Sequence, residues 1–325
     1  MRATSEIQFE AASRGGCPPA EEVRDGVWMI AVPMPPGQPG LDYSFVTVLR
    51  DENGRLHLVD AGWDTPDNRT LLAGALRTIG GEVASVTITH GHPDHLGLAP
   101  WLREEHGTRL VMHERELRSL AHVPRADEEV LDRWQVPADR RAELLAVRVG
   151  EPAPLPVIDT LVTGTDIPLD IPGRTVRGLL TPGHTDGHLA LALPEEQLLI
   201  TGDLLLPTVY SGLGLGGPGA DNPVAAHAAS LATLTAYDDY EALPGHGYRF
   251  RGIASRAAIT RAHHGSRTEE VRAILEANPN ASVWNTARAV TWTRGWAALR
   301  GMFLLSALAQ IEQHAELVRS AAAAR

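Results

Sequence analysis

The segment Thr89-His90-Gly91-His92-Pro93-Asp94-His95 places three imidazoles and one carboxylate within six residues, at the end of a β-rich run. His90 and His92 are two apart, so on an extended or turning backbone they point the same way. Asp94 and His95 fall beyond that turn and face a neighbouring position. One short loop therefore offers two ligands to each of two metal ions, and the mix of imidazole and carboxylate suits zinc, iron or manganese. Three more polar residues stand in comparable surroundings: His184 after Thr181-Pro182-Gly183, Asp203 after Thr201-Gly202, and His246 within Pro244-Gly245-His246-Gly247. Singly, each reads as an ordinary turn residue. Together, each behind a short apolar run and beside small residues that let the backbone crowd a metal, they complete a cage.

The chemistry such a cage supports is hydrolysis. Two divalent ions sharing a water lower its pKa from about 15.7 towards about 7, which yields a bridging hydroxide at neutral pH without a separate base. That hydroxide attacks a carbonyl carbon or a phosphorus, and the cations stabilise the charge that develops on the acceptor oxygen. Asp94 is expected to act as a ligand and also to hold the proton of the nucleophile. No Gly-x-Ser-x-Gly elbow is present, so nothing points to a nucleophilic serine. A thiolate leaves easily because its conjugate acid has a pKa near about 8.5. An amide nitrogen needs a proton donor, and Tyr210 and His227, near Asp203 in sequence, are the candidates to reach the pocket.

These side chains need strand ends to hold them. Residues 27–32, 43–49 and 56–59 read as strands, the last two joined through Asp51-Glu52-Asn53-Gly54, where Asn-Gly predicts a hairpin. Asp60-Ala61-Gly62 then sets another carboxylate at a buried strand end. A helix capped by Thr65 or Asp67 and running through Ile79 precedes the strand at 83–89, and a helix over 98–105 and a strand over 109–112 follow. This alternation marks a layered α/β domain. Further strands are expected over 162–169, 174–180, 189–193, 198–200 and 240–243, with a helix from Pro223 capped at Asp221-Asn222. Residues 1–25 read as an irregular lead-in.

The catalytic domain so defined covers residues 1–250, with a charged, helix-prone insert over about 114–160 broken by Pro124, Pro137, Pro152, Pro154 and Pro156. Substrate selection is expected there, with Trp134 and Arg133 as pocket-lining candidates, the arginine suited to a substrate carboxylate. Residues 251–325 form a second unit, all-helical or winged-helix, with helices over 252–277, 282–291 and 296–319. Trp284, Trp292, Trp296 and Met302 fall at helical spacing and read as its core, a homodimer contact or a pocket lid being the lesser reading. His57, His106, His113, His122 and His314 are scattered and read as structural or solvated. So does His188, four residues after His184, with packing against the site as its lesser reading, while His263 and His264 read as surface or domain-contact residues.

Bulk properties narrow the classes. The chain has 325 residues and a net charge of -11, which argues against broad nucleic-acid binding. Its single cysteine, Cys17, makes neither an internal disulfide nor a thiolate metal site. No run of eighteen apolar residues and no secretory leader is evident, so the expected setting is cytoplasmic, with a small-molecule substrate and no membrane partner.

Over about residues 25–250 the order of these motifs resembles the metallo-β-lactamase fold hydrolases. The resemblance implies a four-layer αββα sandwich with metals at one edge of two facing sheets. It implies two divalent cations, zinc first and iron or manganese as alternatives: His90, His92 and His184 on one, Asp94, His95 and His246 on the other, and Asp203 bridging. Asp60 is then expected to orient a ligand from behind. Residues from about 255 to 319 resemble the winged-helix tail of a subgroup of lactamase-like proteins, through Thr286-Ala287, Trp296 and Leu299. Lactamases of the commonest zinc class carry a cysteine where Asp203 stands, so lactamase activity of that class is disfavoured; many acyl-homoserine lactonases carry a tyrosine where Leu206 stands, which weakens the resemblance to them. The leading expectation is a dinuclear metal-dependent hydrolase of a small ester, thioester or lactone, similar in chemistry to glyoxalase II. A phosphodiesterase or ribonuclease is the alternative, and a non-catalytic, metal-stabilised binding module comes third.

Overall fold

A computed structural model describes residues 1–35, 41–121, 126–147, 155–217, 219–293 and 295–323. Of the features expected above, His122, Pro124, Pro152 and Pro154 lie outside these residues.

The N-terminal segment is not irregular. It forms a strand β1 (Arg2–Ala3), a helix α1 (Glu6–Arg14) and a strand β2 (Glu21–Arg24). Ser5 caps the helix, its hydroxyl accepting the Gln8 N–H. Two-residue and four-residue edge strands carry too little apolar alternation to be seen in sequence. The pairing is what reveals them: β2 extends one sheet, and β1 extends the other.

The first sheet continues with β3 (Val27–Pro33), β4 (Tyr43–Arg50) and β5 (Leu56–Val59). After the helix α2 (Pro66–Ile79) come β6 (Val83–Thr87), the short helix α3 (Pro93–Leu96), the helix α4 (Ala99–His106) and β7 (Arg109–His113). Three helices of the insert follow, α5 (Leu117–Ala121), α6 (Glu128–Trp134) and α7 (Ala138–Leu145), before β8 (Thr160–Val162) closes a seven-stranded sheet in sequential order from β2 to β8. The second sheet contains β9 (Asp166–Ile171), β10 (Arg174–Leu180), β11 (Leu189–Leu193) and β12 (Leu198–Gly202). The helix α8 (Pro223–Leu234) then crosses over to β13 (Glu241–Pro244) and β14 (Phe250–Arg251), giving the order β1-β14-β13-β12-β11-β10-β9. Its β12–β13 pair is parallel, as are β5–β6 and β6–β7 in the first sheet.

Period-two alternation sorts each strand between two cores. Met29 and Ala31 of β3 face Leu189, Leu191, Leu198 and Leu243 of the opposite sheet, while Ile30 and Val32 face Leu72, Leu96 and Leu102 of the covering helices. On the second sheet Ala190 and Ala192 turn outward onto Leu231 and Leu234 of α8. The layers are therefore helix, sheet, sheet and helix, the αββα arrangement.

The chain ends in a helical region: α9 (Ile253–Ala277), α10 (Val283–Ala289) and α11 (Gly301–Ala323). Ile253 and Ala257 of α9 join the core over the second sheet. Its far end, with Val271 and Leu275, packs with Trp284, Leu308 and Ile311 around Leu131, Trp134 and Leu144 of the insert, so insert and C-terminal helices share one core. Among the described residues no helix is long and apolar enough to cross a membrane.

Candidate metal centre

Strand direction gathers the expected ligands at one edge. β10 and β12 are each antiparallel to β11, and β12 is parallel to β13, so the loops after β10, β12 and β13 leave the sheet together. Those loops carry His184, Asp203 and His246. On the facing sheet, β5 and β6 end side by side and deliver Asp60 and His90. Backbone bonds stitch the two sheets at this edge: the Phe45 N–H donates to Gly245 O at 2.8 Å and the Leu189 N–H to Thr89 O at 2.9 Å.

All seven residues converge. His90 Nε2, His92 Nδ1 and His184 Nε2 form a triangle with edges of 2.9, 3.1 and 3.3 Å. Nitrogens placed tetrahedrally about a zinc ion at 2.0–2.1 Å would lie about 3.3 Å apart, close to this triangle. Beside it, Asp94 Oδ2 lies 3.4 Å from His95 Nε2 and 3.1 Å from His246 Nε2. Asp203 stands between the two groups, with Oδ1 3.4 Å from His95 Nε2 and Oδ2 3.4 Å from His246 Nε2 and 3.8 Å from His184 Nε2. Three sets of donors are close enough to hold an ion: His90/His92/His184, His90/His95/Asp203 and Asp94/His95/His246. His95 Nε2, His246 Nε2 and Asp203 Oδ1 are buried without a hydrogen-bond partner among the described residues, which is costly unless a cation satisfies them. The space is also reserved by the backbone: a Cβ on Gly245 would lie 2.3 Å from Asp203 Oδ1 and 2.8 Å from His95 Cε1.

Four of the imidazoles are oriented from behind. Asp60, at φ 62°, accepts the Thr89 N–H at 2.7 Å on Oδ1, and the Thr89 hydroxyl at 2.8 Å and His95 Nδ1–H at 2.7 Å on Oδ2. Thr89 Oγ1 lies 3.0 Å from His90 Nδ1. His184 Nδ1 donates to Gly212 O and His246 Nδ1 to Tyr43 O, both at 2.7 Å. Fixing the distal nitrogen leaves Nε2 of these rings free to ligate.

Charge is divided along the same line. Burial, reinforced by the neighbouring imidazoles, holds His90 well below its ordinary value and His92 down at about 3. His184 is also lowered by burial. Burial would lower His246 too, but the charges of Asp203 and Asp94 outweigh it and push the ring up to about 10; His95 is likewise raised by Asp94, Asp203 and Asp60. Asp94 and Asp203 stay ionised, burial being overcome by the cationic imidazoles beside them. The centre thus pairs three neutral imidazoles with a carboxylate-rich half, a donor set fit for divalent cations.

A model of the metallo-beta-lactamase superfamily matches residues 39–246. The chain belongs to this superfamily. A metallo-beta-lactamase family protein from Thermus thermophilus aligns in structure with a TM-score of 0.72 and 27% identity, over 93% of this chain and 95% of that one. The lactamase-like protein vrtG of Penicillium aethiopicum is 26% identical over 216 residues, 66% of this chain and 55% of that protein. The thioesterase pkgB of Emericella nidulans is 24% identical over 218 residues, 67% of this chain and 50% of that protein. The chain spans about half the length of these fungal relatives.

Around the cluster the structure departs from several expectations. Trp134 is buried in the helical core, and Arg133 pairs with Glu312 of α11 at 3.0 Å, so neither is brought to the cluster. The Tyr210 ring lies flat on His263, centroids 3.7 Å apart, with Arg256 on its ring at 4.9 Å. His227 is buried in α8 and donates from Nε2 to Leu204 O at 3.2 Å. His264, expected near the surface or at a domain contact, is buried against His227, with ring centroids 5.1 Å apart. Two residues outside the expected ligand and pocket sets contact the site. His188 accepts the Asp203 N–H on Nε2 at 3.1 Å; its spacing from His184 was the only sequence signal. Glu116 contacts both loops of the three-imidazole group, and nothing local in the sequence marks it.

Proposed function

We propose that this protein is a dinuclear metal-dependent hydrolase of a small-molecule thioester, or of an ester or lactone with a comparably good leaving group. The supporting observation is the convergence of His90, His92, His184, Asp94, His95, His246 and Asp203 into two adjacent donor groups with Asp203 between them. Zinc fits the imidazole-rich half first, iron and manganese next. Bound there, two divalent cations would acidify a shared water and polarise the acyl oxygen of the substrate.

The residues supply the rest. Asp94 is held ionised between His95 and His246 and takes the proton as a water O–H bond breaks. The water oxygen forms the new bond to the acyl carbon, and the carbon–sulfur bond then breaks to release a thiolate. His227 is kept neutral at pH 7, lowered to about 4 by burial, and its Nε2–H is committed to Leu204 O. The chain contains no lysine. Poor provision for protonating a leaving group favours thiolates over amines. The name of the related fungal thioesterase points the same way.

The test is turnover by the metal-loaded protein. A chromogenic acyl thioester should be hydrolysed, with activity lost on chelation and restored by zinc. Turnover of bis-p-nitrophenyl phosphate with no action on thioesters, esters or lactones would overturn the proposal.

A further inference from the structure

Glu116 is fully buried between the two loops that carry the three imidazoles. Its Oε1 accepts the N–H of Gly91, the residue between His90 and His92, at 2.9 Å. Its Oε2 accepts the Thr185 hydroxyl and the Gly187 N–H, each at 2.9 Å, from the loop that begins at His184. The approach is tight by construction: a Cβ on Gly187 would stand 2.3 Å from the Glu116 backbone nitrogen. The preceding residue fastens the same loop from outside, Arg115 Nε donating to Asp186 Oδ2 at 3.0 Å. The other group is held by different residues, His95 by Asp60 and His246 by the Tyr43 carbonyl.

We propose that Glu116 is the positioning residue of the three-imidazole group, tying the His90/His92 loop to the His184 loop so that the three ring nitrogens stand at ligating separation. This rests on the reading of the cluster as a metal centre. Three donors arriving at two oxygens require a carboxylate. In Glu116→Gln the side-chain amide nitrogen turns towards one of the backbone N–H groups, so one loop is released while volume is kept.

The test is cobalt(II) titration of metal-free protein in two backgrounds. His246→Ala leaves the three-imidazole group, and His92→Ala leaves the Asp94/His95/His246 group. Adding Glu116→Gln should weaken cobalt binding about 10- to 100-fold in the first background, the usual effect of losing an orienting partner, and leave the second unchanged. Far-UV circular dichroism and the urea midpoint of each metal-free variant establish folding. Should Glu116→Gln not fold, Glu116→Asp, which withdraws the carboxylate by one methylene, must give the same asymmetry. Equal affinity with and without the substitution, or equal loss in both backgrounds, overturns the inference. Failure of the unsubstituted protein to take up cobalt removes the metal-centre reading itself, and the inference with it.

Discussion

The backbone N–H of Asp203 donates to Nε2 of His188 across 3.1 Å, two buried groups fifteen residues apart in sequence. The acceptor role fixes the ring: Nδ1 carries the proton and donates to Thr181 Oγ1 at 2.9 Å. Burial holds this imidazole neutral, well below its ordinary pKa, so the acceptor persists at acidic pH. Asp203, the carboxylate between the two donor groups, is thereby fixed from its own backbone. His188→Ala should leave that N–H buried and unpaired, at a cost of about 1–3 kcal/mol. Urea unfolding of the metal-free protein measures this directly. Metal titration should show weaker uptake as Asp203 loosens, and undiminished uptake with undiminished stability would contradict the role.

Asp60 tests orientation without disturbing the chain path. Its φ of 62° is a conformation that asparagine also tolerates, so Asp60→Asn keeps the backbone. The single remaining oxygen cannot accept from Thr89 N–H, Thr89 Oγ1–H and His95 Nδ1–H together. Metal affinity should fall about 10- to 100-fold. Leaving one buried donor unpaired should cost the metal-free protein about 1–3 kcal/mol, and a much larger loss of stability would instead mark Asp60 as chiefly a folding residue.

What the sequence disclosed follows from range. His90, His184, Asp203 and His246 each sit where an apolar run stops at Gly or Pro, a local signal, and the strand alternation of 27–33 and 189–193 is local too. The partners of those ligands are not local. Glu116 meets Gly187 over 71 residues, and β1 finds its place only by pairing with β14, Arg2 opposite Arg251. Charge and helix propensity describe residues 114–160 as helical, yet they do not say which face those helices bury. Trp134 was expected at a pocket because it lies in an insert; its ring instead completes a core built by helices more than a hundred residues onward.

That core makes a separable prediction. Trp134→Ala should cost about 3–5 kcal/mol of stability, the range for emptying a large buried aromatic site. Because the ring packs with Leu131, Leu144, Trp284 and Leu308 rather than with the ligand cluster, KM at a temperature where the variant stays folded should remain within twofold of the parent. A many-fold rise in KM with unchanged thermal stability would return Trp134 to the substrate pocket.

Buried histidines should make the metal-free protein sensitive to acid. His227, His264 and His314 are buried, and burial lowers them to about 4, 2 and 4; for His264 the neighbouring imidazoles add to the effect. In the unfolded chain each returns to about 6.5. Above that pH both states are neutral at these sites and no stability is lost. Below it the unfolded chain takes up protons that the native fold refuses, so stability falls with pH. Each histidine contributes about 1.4 kcal/mol per pH unit until its folded pKa is reached. Between pH 6.5 and 4 these three together contribute about 4 kcal/mol per unit at the steepest, and His90, His92, His184 and His188, also lowered by burial, add to the slope of the metal-free protein. Urea midpoints of the metal-free protein across this window measure it. His264→Phe keeps an aromatic ring and removes a nitrogen that has no hydrogen-bond partner among the described residues, so it should flatten the slope by about 1.4 kcal/mol per unit. An unchanged slope in that variant would place its acid sensitivity elsewhere.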